Sequence, residues 1–136
     1  MRRHFALFGI LVAFSASAGA NDRAPRAPRY DCTAHTHPDQ VVRMLENEAL
    51  TCAGAVDIYL SCQDRWVNNP AMEEAATTRC EAATRPLGAK LAQRYENARE
   101  ACETRFQSRD MRILWSAVRD CKVRLAQSWA KRYPKK

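Results

Sequence analysis

Residues 80–121, CEAATRPLGAKLAQRYENAREACETRFQSRDMRILWSAVRDC, hold three of the chain's six cysteines in what reads as two long helices joined near Ser108. In the first, Leu87, Leu91, Tyr95, Ala98, Cys102 and Phe106 recur at intervals of three or four, the spacing of one helical face. Arg94, Glu96, Arg99, Glu100 and Glu103 take the other faces, as on a solvated helix surface. In the second, Met111, Leu114, Trp115, Val118, Cys121, Leu125 and Trp129 continue the same rhythm to a basic end at Lys131 and Arg132. Ser108 is the expected cap of that helix, with Asp110 in its first turn. Pro86 lacks the amide a helix interior needs, so a boundary is expected at Arg85.

Upstream, Val41, Leu45, Ala49, Cys52, Val56, Tyr59 and Trp66 mark an apolar stripe running from Pro38 through roughly Trp66. Thr51 and Gly54, weak helix formers, allow a kink or break within it. Asn68-Asn69-Pro70 ends that stripe and starts another helix reaching about Thr84, with Asn69 as cap, Pro70 in the first turn and Glu73 and Glu74 at the positive end of its dipole. No alternating strand-like run competes. The expected class is all-α: about four helices in a small bundle of disulfide-linked hairpins, one domain spanning residues 38–133.

The amino terminus reads differently. Met1-Arg2-Arg3, a short apolar run from Phe5 to Phe14 and Ala18-Gly19-Ala20 have the layout of a secretory signal over residues 1–20. Removing it takes away Arg2 and Arg3 and leaves 116 residues with 20 basic and 15 acidic side chains, a balance of +5. All six cysteines lie beyond it, at 32, 52, 62, 80, 102 and 121, which fits three disulfides in an oxidising compartment. The expected location is periplasmic or secreted. Six cysteines admit fifteen connectivities, and sequence does not choose among them. The pairing of lowest loop entropy is Cys32–Cys52, Cys62–Cys80 and Cys102–Cys121.

Residues 21–37 form a basic, proline-containing lead in which Arg23, Arg26 and Arg29 share one face of a polyproline helix. Residues 134–136 form a basic tail expected to fray. Within the lead, Asp31-Cys32-Thr33-Ala34-His35-Thr36-His37-Pro38-Asp39 contains the two histidines left after cleavage, so His35 and His37 are the candidate metal ligands. A disulfide at Cys32 and a helix entry at Pro38 are the simpler reading, and no metal or other cofactor is expected.

Catalytic patterns are scarce. Nucleophilic catalysis calls for a base near a serine or cysteine, yet both histidines sit in one short segment and the cysteines are expected to be oxidised. There is no C-x-x-C pair, phosphate-cradling glycine loop or H-E-x-x-H motif. Glu73-Glu74 and Glu96/Glu100/Glu103 offer carboxylates for glycoside chemistry, but solvated helix faces account for them. Basic and acidic residues interleave on every helix, which argues against a nucleic-acid surface. Trp66, Trp115 and Trp129 all continue apolar stripes and are expected as core anchors; an exposed one would point to a partner surface.

Cys80, Leu91, Tyr95 and Trp115-Ser116-Ala117-Val118-Arg119-Asp120-Cys121, in that order, resemble the spaced pattern of the LprI-type lysozyme-inhibitor family. That pattern is an early cysteine, L-N-x-x-Y, and W-x-x-[YF]-R-D-x-x-C. Here Ala92 stands in place of its asparagine and Val118 in place of its aromatic; the last cysteine follows Asp120 directly, and Cys102 is additional. The resemblance implies a small exported helical protein that binds another exported or envelope protein, a muramidase, without catalysis, and singles out Leu91, Tyr95, Trp115, Arg119 and Asp120. Because many lysozymes are basic, a +5 inhibitor needs a local acidic patch, for which Asp57, Asp64, Glu73 and Glu74 are candidates. The competing expectation is an envelope-associated protein that meets anionic surfaces or a metal through the Arg/His segment.

Overall fold

The computed structural model describes residues 30–66, 69–107 and 109–136. The signal segment, the Arg23/Arg26/Arg29 face, Asn68 and the Ser108 cap lie outside the described residues. Within them there are five α-helices, α1 (Pro38–Leu45), α2 (Cys52–Cys62), α3 (Pro70–Ala82), α4 (Ala89–Arg105) and α5 (Met111–Arg132), and one short 3-10 helix, Cys32–Ala34. The class is all-α, but the helix count is five rather than about four. The long first stripe is two helices because Thr51 caps a new start, its hydroxyl accepting from the Gly54 amide at 3.1 Å. That second helix stops at Cys62, short of Trp66.

Caps set the other boundaries. The Asn69 side chain accepts from the Ala71 amide at 3.0 Å, with Pro70 occupying the first position of α3, where a missing amide costs nothing. Asp110 is the cap of α5 rather than a first-turn residue, its carboxylate accepting from the Arg112 amide at 2.9 Å. Gly88 precedes α4 without any side-chain cap.

Two antiparallel hairpins, α2 with α3 and α4 with α5, make the frame, and α1 lies on α3. The core is built mainly from α1, α2, α3 and the C-terminal half of α5: Val41, Leu45, Val56, Cys62, Met72, Ala76, Cys80 and Val123 are almost wholly shielded from solvent. The buried face of α3 is mostly small, with Ala75, Ala76, Thr77 and Cys80, which lets neighbouring backbones approach closely. Helices α3 and α5 run parallel. Their C-terminal ends are pinned together by an antiparallel bridge at Thr84 and Pro134, made by the Arg85 amide donating to the Tyr133 carbonyl at 2.8 Å and the Lys135 amide donating to the Ala83 carbonyl at 2.9 Å. The expected frayed tail is thus held in place at Pro134 and Lys135.

The disulfides are Cys32–Cys62, Cys52–Cys80 and Cys102–Cys121. The third is the expected pair; Cys32–Cys52 and Cys62–Cys80 are corrected. Loop-closure entropy rises only slowly with loop length, so geometry outweighs it. In an antiparallel pair turning between α2 and α3, the residue opposite Cys80 lies about as far before the turn as Cys80 lies after it. That residue is Cys52, with a Cα–Cα distance of 4.4 Å, whereas Cys62 adjoins the turn. Cys62 instead meets Cys32 at 5.3 Å, drawing part of the supposed lead onto the bundle. Cys32 is buried, the Asp31 carboxylate accepts from the Thr33 amide at 2.9 Å to cap the 3-10 helix, and Tyr30 packs against the core. The helical domain therefore begins before Pro38.

Candidate partner-binding site

The sequence-derived residues separate into two groups. Leu91 is half-buried on α4 and Tyr95 is buried one turn later. The Tyr95 hydroxyl donates to Glu81 Oε1 at 2.9 Å, and its ring meets Trp129 edge-on with centroids 5.2 Å apart. Arg99 lies over the same ring at 5.9 Å and pairs with Glu81 at 3.8 Å and Glu96 at 3.7 Å. Burial, with the Glu81 charge close by, pushes the Tyr95 hydroxyl well above its ordinary range. This cluster fastens α4 to the end of α3 and is structural.

Trp115, Arg119 and Asp120 lie toward the other end of the bundle. Asp120 accepts from Tyr59 Oη at 3.3 Å and from Gln63 Nε2 at 3.2 Å, and its carboxyl is raised chiefly by burial. Arg119 lines a cavity of about 10 Å³ with Tyr59, Gln63, Trp66, Met72 and Ser116, at the first turn of α3. Tyr59 and Gln63, one turn apart on α2, are hydrogen-bond partners of Asp120 that the sequence did not single out. Their only sequence signal is the i, i+4 spacing of a hydroxyl and an amide on an apolar stripe.

Trp115 is not a core anchor. It is 46% exposed, beside Met111 at 53% and Ile113 at 62%. Relative helix length explains this. At 1.5 Å per residue the 22 residues of α5 extend about 33 Å and the 13 of α3 about 20 Å. With the C-terminal ends in register, the first turns of α5 overhang the start of α3, and the end of α4 at Arg105 also falls short of them. Met111 and Trp115 continue the face that buries Val118 lower down, but at their level neither α3 nor α4 covers that face. Trp66 and Trp129, by contrast, are half-buried against the core.

Next to the overhang lies an open groove of about 430 Å³ lined by Asp64, Asp110, Asp120, Arg112, Ile113, Ser116 and Ala117. Three carboxylates face one guanidinium there, on a protein whose overall charge is positive. The four acidic candidates from sequence do not all contribute: Asp64 lines the groove, whereas Glu73 is half-buried within the fields of Lys122, Arg119 and Arg99, and Asp57 and Glu74 are exposed. Burial outweighs those cations and raises the Glu73 carboxyl.

No family model, curated protein or solved structure matches this chain. The site is accordingly read from its own chemistry.

Neither metal candidate lines this groove. Tyr30 Oη and His35 Nε2 are 2.5 Å apart with the two rings stacked, and His37 begins α1, where Gln40 Oε1 accepts from the Thr36 amide at 3.0 Å. Cys32 is committed to its disulfide. Among the described residues no group of three or more histidine, cysteine or acidic side chains is arranged to hold a metal ion. Nor is any described helix long and apolar enough to cross a membrane.

Proposed function

We propose that this chain is an exported, non-catalytic protein-binding module that docks on a lysozyme-like cell-wall hydrolase and lowers its activity. The observation that carries the reading is the overhang of α5, which holds Met111, Ile113 and Trp115 in solvent on a rigid helix. Tryptophan in such a setting combines a large apolar area with little conformational entropy to lose on docking. The adjacent Asp64/Asp110/Asp120 groove supplies the local negative charge that a basic muramidase requires for steered association. Three disulfides and a signal-like amino terminus agree with export.

The test is a muramidase turnover assay with increasing oxidised protein. The rate should fall to a plateau, and Trp115→Asp or Asp64→Lys should weaken the inhibition at least tenfold while leaving the fold intact. Unchanged muramidase activity at large molar excess of the wild-type protein refutes the proposal.

A further inference from the structure

Three methionines lie among the described residues, and their sulfurs differ in access to solvent. Met72 is wholly shielded, at 0% exposed. Met44 is half-buried against the core, and its Sδ accepts from Tyr30 Oη at 3.2 Å. Met111, the first residue of α5, is 53% exposed. It stands four positions before Trp115, so the two side chains share one face of the overhang. All six cysteines are bound in disulfides, which leaves no free thiol to compete for an oxidant.

A thioether is oxidised where its lone pair can be reached, and the product is polar where the methionine was apolar. We infer that Met111 is a peroxide-reactive modification site, and that its conversion to the sulfoxide switches off the apolar face presented by the α5 overhang. A sulfur lone pair attacks one oxygen of hydrogen peroxide; the S–O bond forms and the O–O bond breaks. The departing hydroxide takes the proton of the transferred oxygen and leaves as water. Sulfur gives up two electrons and the peroxide is reduced by two. Methionine sulfoxide reductases reverse the change. The site and the loss of apolar character stand on exposure alone, whereas a consequent loss of inhibition rests on the muramidase reading.

The experiment treats the disulfide-bonded protein with graded hydrogen peroxide, maps each methionine by peptide mass spectrometry and follows retention on a phenyl column. Met111 should oxidise at least tenfold faster than Met44 or Met72. Oxidation should shorten retention, and reduction by the two reductase types that serve the two sulfoxide epimers should restore it. Met111→Leu should remove the peroxide-dependent shift, and Met111→Gln should elute early without any oxidant. Circular dichroism should be the same throughout, because the side chain is in solvent at the end of its helix. Oxidation of Met44 or Met72 as fast as Met111 overturns the inference, as does unchanged retention of the Met111 sulfoxide. In the muramidase assay, inhibition by the unoxidised protein should weaken at least tenfold in the sulfoxide form and in Met111→Gln; equal inhibition overturns the switch. If the unoxidised protein does not inhibit, the muramidase reading falls, and mapping with retention still decides the Met111 site.

Discussion

The Tyr59 hydroxyl donates to Asp120 Oδ1 at 3.3 Å, tying α2 to α5 across 61 positions of sequence. Gln63 Nε2 completes the arrangement on Oδ2 at 3.2 Å, while the other amide atom, Gln63 Oε1, is buried with no partner among the described residues. The carboxylate therefore satisfies two donors at the cost of its own desolvation. Burial dominates, and the Asp120 carboxyl lies above its ordinary range.

Two substitutions separate these effects. Asp120→Ala leaves the Tyr59 hydroxyl and the Gln63 amide without their acceptor and should cost about 1–3 kcal/mol in urea unfolding at neutral pH. Asp120→Asn keeps an acceptor for Tyr59, and a flipped Gln63 amide then accepts from the new Asn through Oε1. It removes a partly buried charge, so its stability should equal or exceed wild type. A large loss in Asp120→Asn would show that the negative charge itself is required.

The same carboxyl sets a pH trend. A raised folded-state pKa means that the native state retains a proton where the unfolded state has released it, so this residue's contribution to stability increases as pH falls. The gain begins as pH drops through the raised value and levels off below the ordinary aspartate range. Glu73 acts in the same direction, whereas Asp31 and Glu103, whose pKa values are lowered by hydrogen bonds from Thr33 and Lys122, contribute stability that is lost on acidification. Comparing wild type with Asp120→Asn between pH 7 and pH 3 isolates the Asp120 contribution. Wild type should gain on the variant as pH falls, and the opposite slope would disprove a desolvated Asp120.

The bridges have distinct consequences. Non-reducing peptide mapping should recover Cys32–Cys62, Cys52–Cys80 and Cys102–Cys121. Replacing both cysteines of the last pair by serine frees a 19-residue separation between α4 and α5 and should lower stability by about 3 kcal/mol. The loss should be visible as a lower midpoint in urea. Recovery of Cys62 linked to Cys80 would contradict the helix register.

Tryptophans divide by exposure. Trp129→Ala removes the edge contact with Tyr95 and the tilted contact with Tyr133 and should cost about 3–5 kcal/mol. Trp115→Ser, on the overhang, should change stability by less than about 1 kcal/mol. Thermal unfolding of the two variants side by side tests whether α5 is divided into a packed half and a presented end.

Gly88 offers a stabilising change. It precedes α4 with φ −66° and ψ 158°, a conformation open to any residue, and a Cβ built there meets nothing within 4 Å. Gly88→Ser adds a hydroxyl to accept from the first-turn amides and should raise the melting temperature slightly, in line with a gain of a few tenths of a kcal/mol. A drop would indicate that the entry to α4 is held by something other than its cap.

Much of the fold was legible in the sequence because its signals are local. The threefold and fourfold spacing from Leu87 to Phe106 and from Met111 to Trp129, the Asn69-Pro70 start and the break at Pro86 depend on side chains within a turn or two of one another. They identify helices and their approximate ends. The break between Leu45 and Cys52 was foreshadowed only by Thr51 and Gly54, since the apolar stripe runs on through it.

Relationships between distant segments were decided by packing. Cys80 takes Cys52 rather than the nearer Cys62 because antiparallel helices bring together residues equidistant from the turn, a constraint stronger than the slow growth of loop entropy. Trp115 and Trp129 occupy the same kind of stripe position, yet one is presented and the other packed, because α3 and α5 are in register at their C-terminal ends and unequal in length. Spacing along one helix records which face a residue takes; only the neighbouring helices determine whether that face is covered, and the overhang at Met111, Ile113 and Trp115 is where they stop.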